Sequence, residues 1–477
     1  MHGNYNLASL KKRSVNLFDF SNGVNGLIDG HIAKNTTAKR SFNFDYSNGA
    51  LKDGVGVEEF TVEFDHGKIR PLPPNYSIRP IKVYHYKRYD EANERDDDRL
   101  IILYDDNSVY EWKMFSNNGT LLKINGLSFE TPPFSACYRL NGEDVILFST
   151  QGVLYVYNGE RITTFDAPKI TSMCIHNERL FATTEGSQTE LWFSKTFDPT
   201  NWNVTLDEAG FIDFRSSHGR LLKVVSFNGY LYVFSNYGIY RVSAYGDQTE
   251  MYADSIFVNS GRIYGNTVTE CGKYVIYLAE DGFYRFDGVS SVKILSAIDP
   301  FIDGLDNEES VSAYYNGKLY VSINAKLDEY VRRTLLVYDV ITGEFYFAKG
   351  LNIYELAKLN GNRYSKLLLL DQGNINFCQL NYNTRYFSLS LEKEWTSYPN
   401  DYGIEGEKTF SSIKLYTKTP ITVTVSSERD VKTVNFEGKA YRQSKTVGLK
   451  GTTFSVKISS KSENAEISKV VIILEYL

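Results

Sequence analysis

The chain has 477 residues, a formal net charge of −6 at pH 7 and 14% aromatic residues. This length suffices for two or three domains with a large core, and the aromatic content is typical of half-buried β-strands. The acidic balance excludes the global basic surface that tight non-specific nucleic-acid binding requires. No stretch approaches the roughly 20 apolar residues of a membrane-spanning helix, and residues 1–13 lack the apolar segment of a signal peptide, so we predict a chain that is neither membrane-embedded nor secreted by a recognisable signal.

Residues 1–58 alternate aromatic and polar residues and then break at glycines. Two such runs, residues 18–26 and 44–51, flank a polar stretch at residues 34–40. The segment has too little apolar content to form a core of its own. We therefore predict an extended N-terminal arm that lies either on the propeller described next or on a neighbouring subunit.

A unit that recurs along residues 59–382 is the clearest structural signal in the chain. In each unit a polar turn leads into an apolar-aromatic strand, and a second strand follows within a few residues. The turns are Asn141-Gly142, His176-Asn177, Asn228-Gly229, Cys271-Gly272, Asn316-Gly317 and Asn360-Gly361. Successive turns are 35, 52, 43, 45 and 44 residues apart, which is about the length of a four-stranded β-propeller blade.

This pattern predicts an all-β fold built around a propeller of seven blades, or six if the first and last units share a blade. Asn-Gly pairs suit type I′ hairpin turns, in which both central residues need a positive φ. Residues 60–64 alternate apolar and polar side chains at the start of the series. We expect the strand Phe60–Phe64 to close the ring by pairing with the last blade.

After Tyr382 the strands keep a period of two but lose the blade pattern. They occupy residues 413–416, 421–425, 454–458 and 470–474, with Thr, Ser and Lys as polar partners. Such strands are typical of a sheet with one buried and one wet face. We assign residues 383–477 to a separate C-terminal β-sandwich.

No known catalytic or cofactor-binding motif occurs in a fitting context. Gly23 and Gly26 lack the preceding strand and the following helix of a phosphate-binding loop. The histidines are His2, His31, His66, His85, His176 and His218. They stand singly, so we expect hydrogen-bonded structural roles rather than metal ligation. The sequence therefore predicts no catalytic, cofactor-binding or metal-binding residues and no cofactor.

Other polar residues also favour structural roles. Asp96-Asp97-Asp98 resembles a calcium loop only in charge, so we interpret it as a solvated loop, and Asp105-Asp106 as turn residues. The cysteines are Cys137, Cys174, Cys271 and Cys378. They have no CxxC spacing, which favours buried free thiols in a reducing cytoplasm.

One set of carboxylates keeps an enzymatic alternative open. Propeller enzymes often place acidic residues around the central channel, and the candidates here are Glu111, Asp213, Glu280, Asp281 and Asp371. Glycoside hydrolysis needs two carboxylates at about 5 to 9.5 Å, and the sequence leaves open whether any two converge. The alternative function is therefore a glycan-binding or glycan-cleaving propeller of a phage or cell surface. A cytoplasmic propeller scaffold is a third possibility.

Three stretches carry a resemblance to one family. The first comprises residues 18–25 and 43–51 of the arm. The second is residues 191–202, which read as a strand, a Ser and then Asp-Pro-x-x-Trp, and the third is residues 394–397 followed by 408–413. In the second stretch we expect Trp202 to anchor a long inter-strand loop by burial. In this order the three stretches resemble the stabilisation, tail-nozzle or tail tubular proteins of short-tailed bacteriophages.

The resemblance implies a structural protein of the virion tail, made in the host bacterial cytoplasm, without enzymatic activity. It implies a homo-oligomeric ring, commonly of six subunits, below the portal and adaptor proteins and beside other tail proteins. The ring would stabilise the packaged genome and form the conduit for DNA ejection. A net acidic chain agrees with DNA that passes through the lumen without specific binding, because like charges do not adhere.

Overall fold

The computed structural model describes residues 10–30, 32–64, 67–91, 93–116, 118–206, 208–214, 218–245, 250–362 and 364–477. Within these ranges the chain is almost entirely β-structure, and the predicted all-β propeller fold is confirmed. The described chain forms seven antiparallel blades of four strands, so the count is seven and not six.

The blades follow one another along the chain, and the first strand of each lies innermost. Blade 1 consists of Pro80–Tyr86, Arg99–Tyr104, Ser108–Lys113 and Leu122–Ser128, and blade 2 of Phe134–Leu140, Glu143–Thr150, Val153–Tyr157 and Ile162–Asp166. Blade 3 consists of Ile170–His176, Arg179–Thr184, Glu190–Phe193 and Gly210–Asp213, and blade 4 of Leu221–Phe227, Tyr230–Ser235, Gly238–Ser243 and Tyr252–Val258. Blade 5 consists of Thr269–Cys271, Tyr274–Ala279, Gly282–Phe286 and Ser291–Ile294, and blade 6 of Val311–Tyr315, Lys318–Ala325, Arg332–Asp339 and Phe345–Ala348. Blade 7 consists of Ile353–Asn360, Ser365–Asp371, Cys378–Asn381 and Gly56–Glu59.

The recurring turns join the first and second strands of their blades. Asn141 and Gly142 have φ values of 51° and 85°, and Asn228 and Gly229 have 50° and 78°, as type I′ turns require. In blade 3 the two positive φ values fall one residue later than the sequence suggested, at Asn177 and Glu178. The repeat therefore marks the hairpin nearest the propeller axis in six of the seven blades.

The strand that closes the propeller is Gly56–Glu59, so the prediction of Phe60–Phe64 is wrong. Gly56–Glu59 pairs antiparallel with Cys378–Asn381 and, on its other side, runs parallel to Arg385–Tyr386. Val62–Phe64 instead forms a hairpin with Gly67–Ile69. Alternation favoured the wrong segment, because residues 60–64 alternate apolar and polar side chains whereas residues 56–59 have a single apolar side chain, Val57.

Strands between Lys393 and Tyr476 form the predicted sandwich together with two strands from the N-terminal segment, whereas Arg385–Tyr386 and Leu389–Ser390 extend the sheet of blade 7. One sheet orders Lys11–Leu17, Lys469–Tyr476, Lys408–Tyr416 and Arg442–Gly451. The other orders Ala38–Phe42, Lys393–Ser397, Phe454–Ser460, Ile421–Ser427 and Val431–Phe436. The predicted arm thus lies on its own chain, as edge strands of both sandwich sheets.

The remaining elements are short. The strands are Phe44–Asp45, Leu51–Asp53 and Glu466–Ile467 in one small sheet, and the pairs Tyr89–Asp90 with Arg95–Asp96 and Arg385–Tyr386 with Leu389–Ser390. The helical turns are Ser47–Gly49, Val204–Leu206, Gly265–Thr267, Ser296–Ile298 and Asp299–Ile302. None of the helices in the described ranges has the length and apolar character of a membrane span.

Buried polar contacts hold the N-terminal segment against the sandwich. Lys393 is 0% exposed, and its Nζ lies 3.0 Å from Asp53 Oδ1 and donates to the Ser462 carbonyl. Glu394, also buried, pairs with Arg40 and Lys457. Burial raises the pKa of Glu394, but the hydrogen bonds and charges of Lys457 and Arg40 outweigh burial and hold it below its usual range. The Glu394 carboxylate is therefore held in its charged form by two cations.

Asn43 connects the N-terminal segment to blade 6 and to the sandwich at once. Its amide nitrogen donates to the carbonyls of Lys349 and Glu392, and its side-chain oxygen accepts from the Lys349 backbone N–H at 2.7 Å. Its φ of 63° is a left-handed conformation that asparagine tolerates. Nearby, Phe20 meets Trp395 edge to face, with ring centroids 5.3 Å apart. Propeller and sandwich therefore share a continuous apolar core.

We predict that Gly56→Ala destabilises the protein by about 1–3 kcal/mol, because the new methyl group would overpack a closed site. A Cβ at Gly56 would lie 2.1 Å from the Arg385 carbonyl oxygen, within a strand paired on both edges. Urea unfolding followed by tryptophan fluorescence measures the change. Gly186→Ala is the matched control, since nothing lies within 4 Å of its Cβ position. Equal stability of the two variants would contradict the closure.

Candidate functional site

The five carboxylates considered for catalysis do not gather around the axis. None lies on the first strand of a blade, and they belong to blades 1, 3, 5 and 7: Glu111, Asp213, Glu280, Asp281 and Asp371. Each has its own local partners. Arg262 binds Glu280, Tyr284 donates to Asp281 at 2.7 Å, and Tyr386 donates to Asp371 at 2.9 Å.

Glu111 is a structural residue at the boundary of blades 1 and 2. Its Oε2 accepts from Arg99 Nη1 at 2.9 Å and from the Tyr157 hydroxyl at 3.0 Å. Arg99 also donates to the Gly159 carbonyl, in the turn between the third and fourth strands of blade 2. Burial lowers the pKa of Arg99, but the negative charges and hydrogen bonds of Glu111 and Asp97 have a larger effect and raise this pKa above its usual value. The pair joins two blades and leaves little of Glu111 exposed to a substrate.

Histidine and aspartate side chains form a second joint, between blades 1 and 7. His85 Nε2 lies 3.2 Å from Asp98 Oδ2 and 2.9 Å from the Tyr364 hydroxyl, which itself donates to Asp98 at 2.5 Å. Asp98 is 1% exposed, so the prediction of a solvated loop is wrong for this residue. The residues next to Asp98 in the sequence did not indicate that it is buried, because its burial comes from contacts with His85 and Tyr364 on other segments of the chain.

The turn residue Asp106 and the histidine His176 have the structural roles that the sequence predicts. Asp106 accepts the backbone N–H of Ser108 at 3.1 Å, as a turn residue does. His176 bonds to Ser226, and burial lowers its pKa. His2, His31 and His66 lie outside the described residues. Within those residues no group of three or more His, Cys, Asp or Glu side chains is placed to hold a metal ion.

All four cysteines are free. Burial raises the pKa of Cys174, Cys271 and Cys378 to about 12, and it also raises the pKa of Cys137. A thiol with a raised pKa carries little thiolate and is a poor nucleophile. The free thiols predicted from the sequence are therefore packing residues.

Three charged residues that the sequence analysis missed lie on the innermost strands. Lys82 of blade 1 pairs with Glu355 of blade 7 at 2.8 Å. Burial lowers the pKa of Lys223 of blade 4, and the positive charge of Lys82 lowers it further. Because blades 1 and 4 are not adjacent, the two lysines act on each other across the axis. The sequence did contain a hint of these inner charges, because the first strands of blades 1 and 4 each include a Lys-Val pair, at residues 82–83 and 223–224.

An open groove with a volume of about 760 Å³ lies between blades 2 and 3. Phe165, Trp192 and Trp202 supply its aromatic wall. Trp192 stacks on Phe211 with ring centroids 5.2 Å apart and an interplanar angle of 30°. Polar side chains also line the groove: Asp166, Lys169, Thr184, Ser187, Thr200, Asn201 and Asn203. The arrangement can bind an amphipathic ligand with flat apolar faces.

The Asp-Pro-x-x-Trp loop forms part of that groove. Asp198 Oδ1 accepts the backbone N–H of Thr200 at 3.0 Å and its hydroxyl at 2.6 Å. Trp202 is 9% exposed and packs with apolar residues of blades 2 and 3. The prediction that Trp202 anchors this long loop by burial is confirmed.

Comparisons with known proteins reach the fold level only. No family model and no characterised sequence matches the chain. Among solved structures, BBS1N in complex with ARL6DN is 12% identical, with a TM-score of 0.43 and 63% of this chain and 92% of that chain covered. The computationally designed Ika8 protein is 9% identical, with a TM-score of 0.39 and coverage of 66% and 100%. The WD40 domain of Toxoplasma gondii coronin is 10% identical, with a TM-score of 0.39 and coverage of 66% and 89%. With TM-scores this low, the propeller assignment rests on the strand pairing itself.

We predict that Glu111→Ala destabilises the protein by about 1–3 kcal/mol, because it removes one of the two carboxylates paired with buried Arg99 and leaves the Tyr157 hydroxyl without its acceptor. Equilibrium unfolding in urea measures the loss. Glu437→Ala is the control, since it removes a carboxylate whose partner Lys439 is 83% exposed, and its midpoint should match the wild type. A Glu111→Ala variant as stable as this control would remove Glu111 from the blade joint.

Proposed function

We propose that this protein is a structural component of a short-tailed bacteriophage virion. It assembles as a ring, commonly of six copies, beneath the portal and adaptor proteins, where it stabilises the packaged genome and forms the conduit for ejection. Cofactors and catalysis have no part in this role. The protein is made in the host bacterial cytoplasm and ends in the tail.

The observation that carries the proposal is the contact of two resembling stretches from opposite ends of the chain. Phe20, from the first stretch, lies edge to face against Trp395, from the third, and both side chains are 0% exposed. Trp202, from the second stretch, is also a buried anchor. The similarity to the tail proteins therefore concerns residues that hold the fold together, rather than interchangeable surface positions.

The N-terminal segment and the C-terminal sandwich form one unit in this proposal. Residues 11–17 pair with Lys469–Tyr476, and residues 38–42 pair with Lys393–Ser397. The buried Asp53–Lys393 pair joins the same two parts. The N-terminal segment of each ring subunit would therefore be held on the sandwich of its own chain.

We expect the purified protein to form rings, alone or with its portal and adaptor. Light scattering gives the mass of the assembly and negative-stain electron microscopy gives its shape. In the Phe20→Ala variant the first and third resembling stretches lose their contact. We expect this variant to keep a folded propeller but to fail to assemble. A protein that stays monomeric and never joins a portal–adaptor complex would refute the tail role.

The groove between blades 2 and 3 favours glycan binding as a second candidate function. A stacked aromatic platform beside amide, hydroxyl and carboxylate groups matches the alternating apolar faces and hydroxyls of a sugar. The groove lining does not include Glu111, Asp213, Glu280, Asp281 or Asp371, so we propose glycan binding rather than hydrolysis as the form of this alternative.

Tryptophan fluorescence with cellohexaose and a chitin hexamer tests the groove. If glycans bind there, both the fluorescence change and the affinity should be lost in Trp192→Ala. They should be kept in Tyr330→Ala, which removes an aromatic ring that is 63% exposed and lies outside the groove. No response from the wild type to either sugar would count against this second function.

A further inference from the structure

The net acidity of the chain hides a division of charge between its two parts. Residues 59–382, which form most of the propeller, hold 31 Lys and Arg against 42 Asp and Glu. Residues 1–58 and 383–477, which supply the sandwich, hold 21 Lys and Arg against 16 Asp and Glu. The sandwich therefore carries an excess of positive charge beside a strongly acidic propeller.

Much of this excess lies on the outer face of one sandwich sheet. In the strand Lys408–Tyr416, Phe410, Ile413 and Leu415 are buried, so Thr409, Lys414 and Tyr416 point outward. The register aligns further cations with these positions. Arg442 and Lys469 flank Tyr416, Lys450 lies opposite Thr409, and Lys12 lies opposite Glu475. We call Lys12, Lys414, Arg442, Lys450 and Lys469 the basic face.

Most of these cations have no acidic partner in the described structure. Lys12 pairs with Glu475 at 2.8 Å, the one carboxylate that the register places on this face. Arg442 and Lys469 each lie 5.9 Å from the centre of the Tyr416 ring. Lys414 and Lys450 form neither an ion pair nor a side-chain hydrogen bond within the described ranges. Clustering of like charges costs self-repulsion, which an anionic partner would relieve.

The face lacks the features of a stable protein interface or a base-stacking surface. Protein interfaces concentrate binding energy in apolar or aromatic anchors, whereas here Val471 is 7% exposed and held within the sheet. Base stacking needs an open ring, and Tyr416 is flanked by two cations. Around the cations lie hydroxyl groups instead, including Ser412, Ser444 and Thr446. Lysine, arginine and hydroxyl side chains are the groups that contact nucleic-acid phosphates.

We propose that the basic face binds the sugar–phosphate backbone of duplex DNA without reading its sequence. Strand spacing and rise place the cations over a surface of roughly 15 Å by 25 Å, a size that meets several phosphates of one duplex. The face belongs to a single chain, so the proposal goes beyond the tail role and does not need ring assembly. The proposal also refines the expectation that DNA passes the protein without adhering to it. Contact with DNA would be local and weak, at the basic face, while the acidic propeller would repel DNA.

Fluorescence anisotropy with the full-length protein and two labelled duplexes of unrelated sequence tests this proposal. Both duplexes should bind with equal affinity. Four unpaired cations predict a slope of log K against log salt of about −3 to −4, or a loss of roughly 100-fold between about 50 and about 200 mM salt. No binding at the lower salt, or a strong preference between the duplexes, would overturn the proposal.

A charge-reversal pair locates the contact. Lys414→Glu with Lys450→Glu should weaken binding at least tenfold at low salt and reduce the slope by about half. Lys326→Glu with Lys461→Glu makes the same change in net charge at exposed positions elsewhere and should leave both quantities nearly unaltered. Equal losses in the two variants would overturn the assignment to this face. Salt-sensitive self-association without DNA binding would also overturn it, in favour of the acidic propeller of a second copy.

Discussion

The return of residues 11–59 to the C-terminal end of the chain is the constraint on which the rest of the structure depends. This one segment completes blade 7 and adds an edge strand to each sandwich sheet. Without it, the strand Cys378–Asn381 would present an open edge, and open edges invite aggregation. The pairing partners are more than 300 residues apart in sequence, for example Val57 and Leu380. Closure is therefore a late, non-local step of folding, and it makes the two domains stabilise each other.

Buried charges mark the places where separately formed parts meet. Arg99–Glu111 lies between blades 1 and 2, Lys82–Glu355 between blades 1 and 7, and Asp53–Lys393 between the N-terminal segment and the sandwich. Pairs of this kind contribute little net stability compared with apolar packing, but breaking one is costly. They therefore disfavour wrong pairings of blades or strands. This use of acidic and basic residues explains why several candidates for catalysis are structural.

The repeat was readable from the sequence because its cause is local. At Asn141-Gly142, Asn228-Gly229 and Asn316-Gly317 both residues have a positive φ, which Asn and Gly tolerate. Each flanking strand also places its apolar residues on one face, so short windows of sequence suffice. Trp202 and the turn residue Asp106 were predictable for the same reason. The closing strand was not, because residues 60–64 alternate apolar and polar side chains, whereas residues 56–59 contain a single apolar side chain. Pairing with Cys378–Asn381, more than 300 residues away in sequence, selects Gly56–Glu59 instead.

By itself, the sequence determined the fold class, the blade period and the absence of familiar catalytic motifs, since these depend on residue types within one or two turns and strands. The tertiary structure decided the seven-blade count, the N-terminal contribution to both sheets and the placement of the five carboxylates away from the first strands of the blades. It also brought Lys414, Arg442, Lys450 and Lys469 onto one sheet face. These features arise from pairing between distant segments, and the free energy of such pairing depends on three-dimensional neighbours that a linear sequence does not specify.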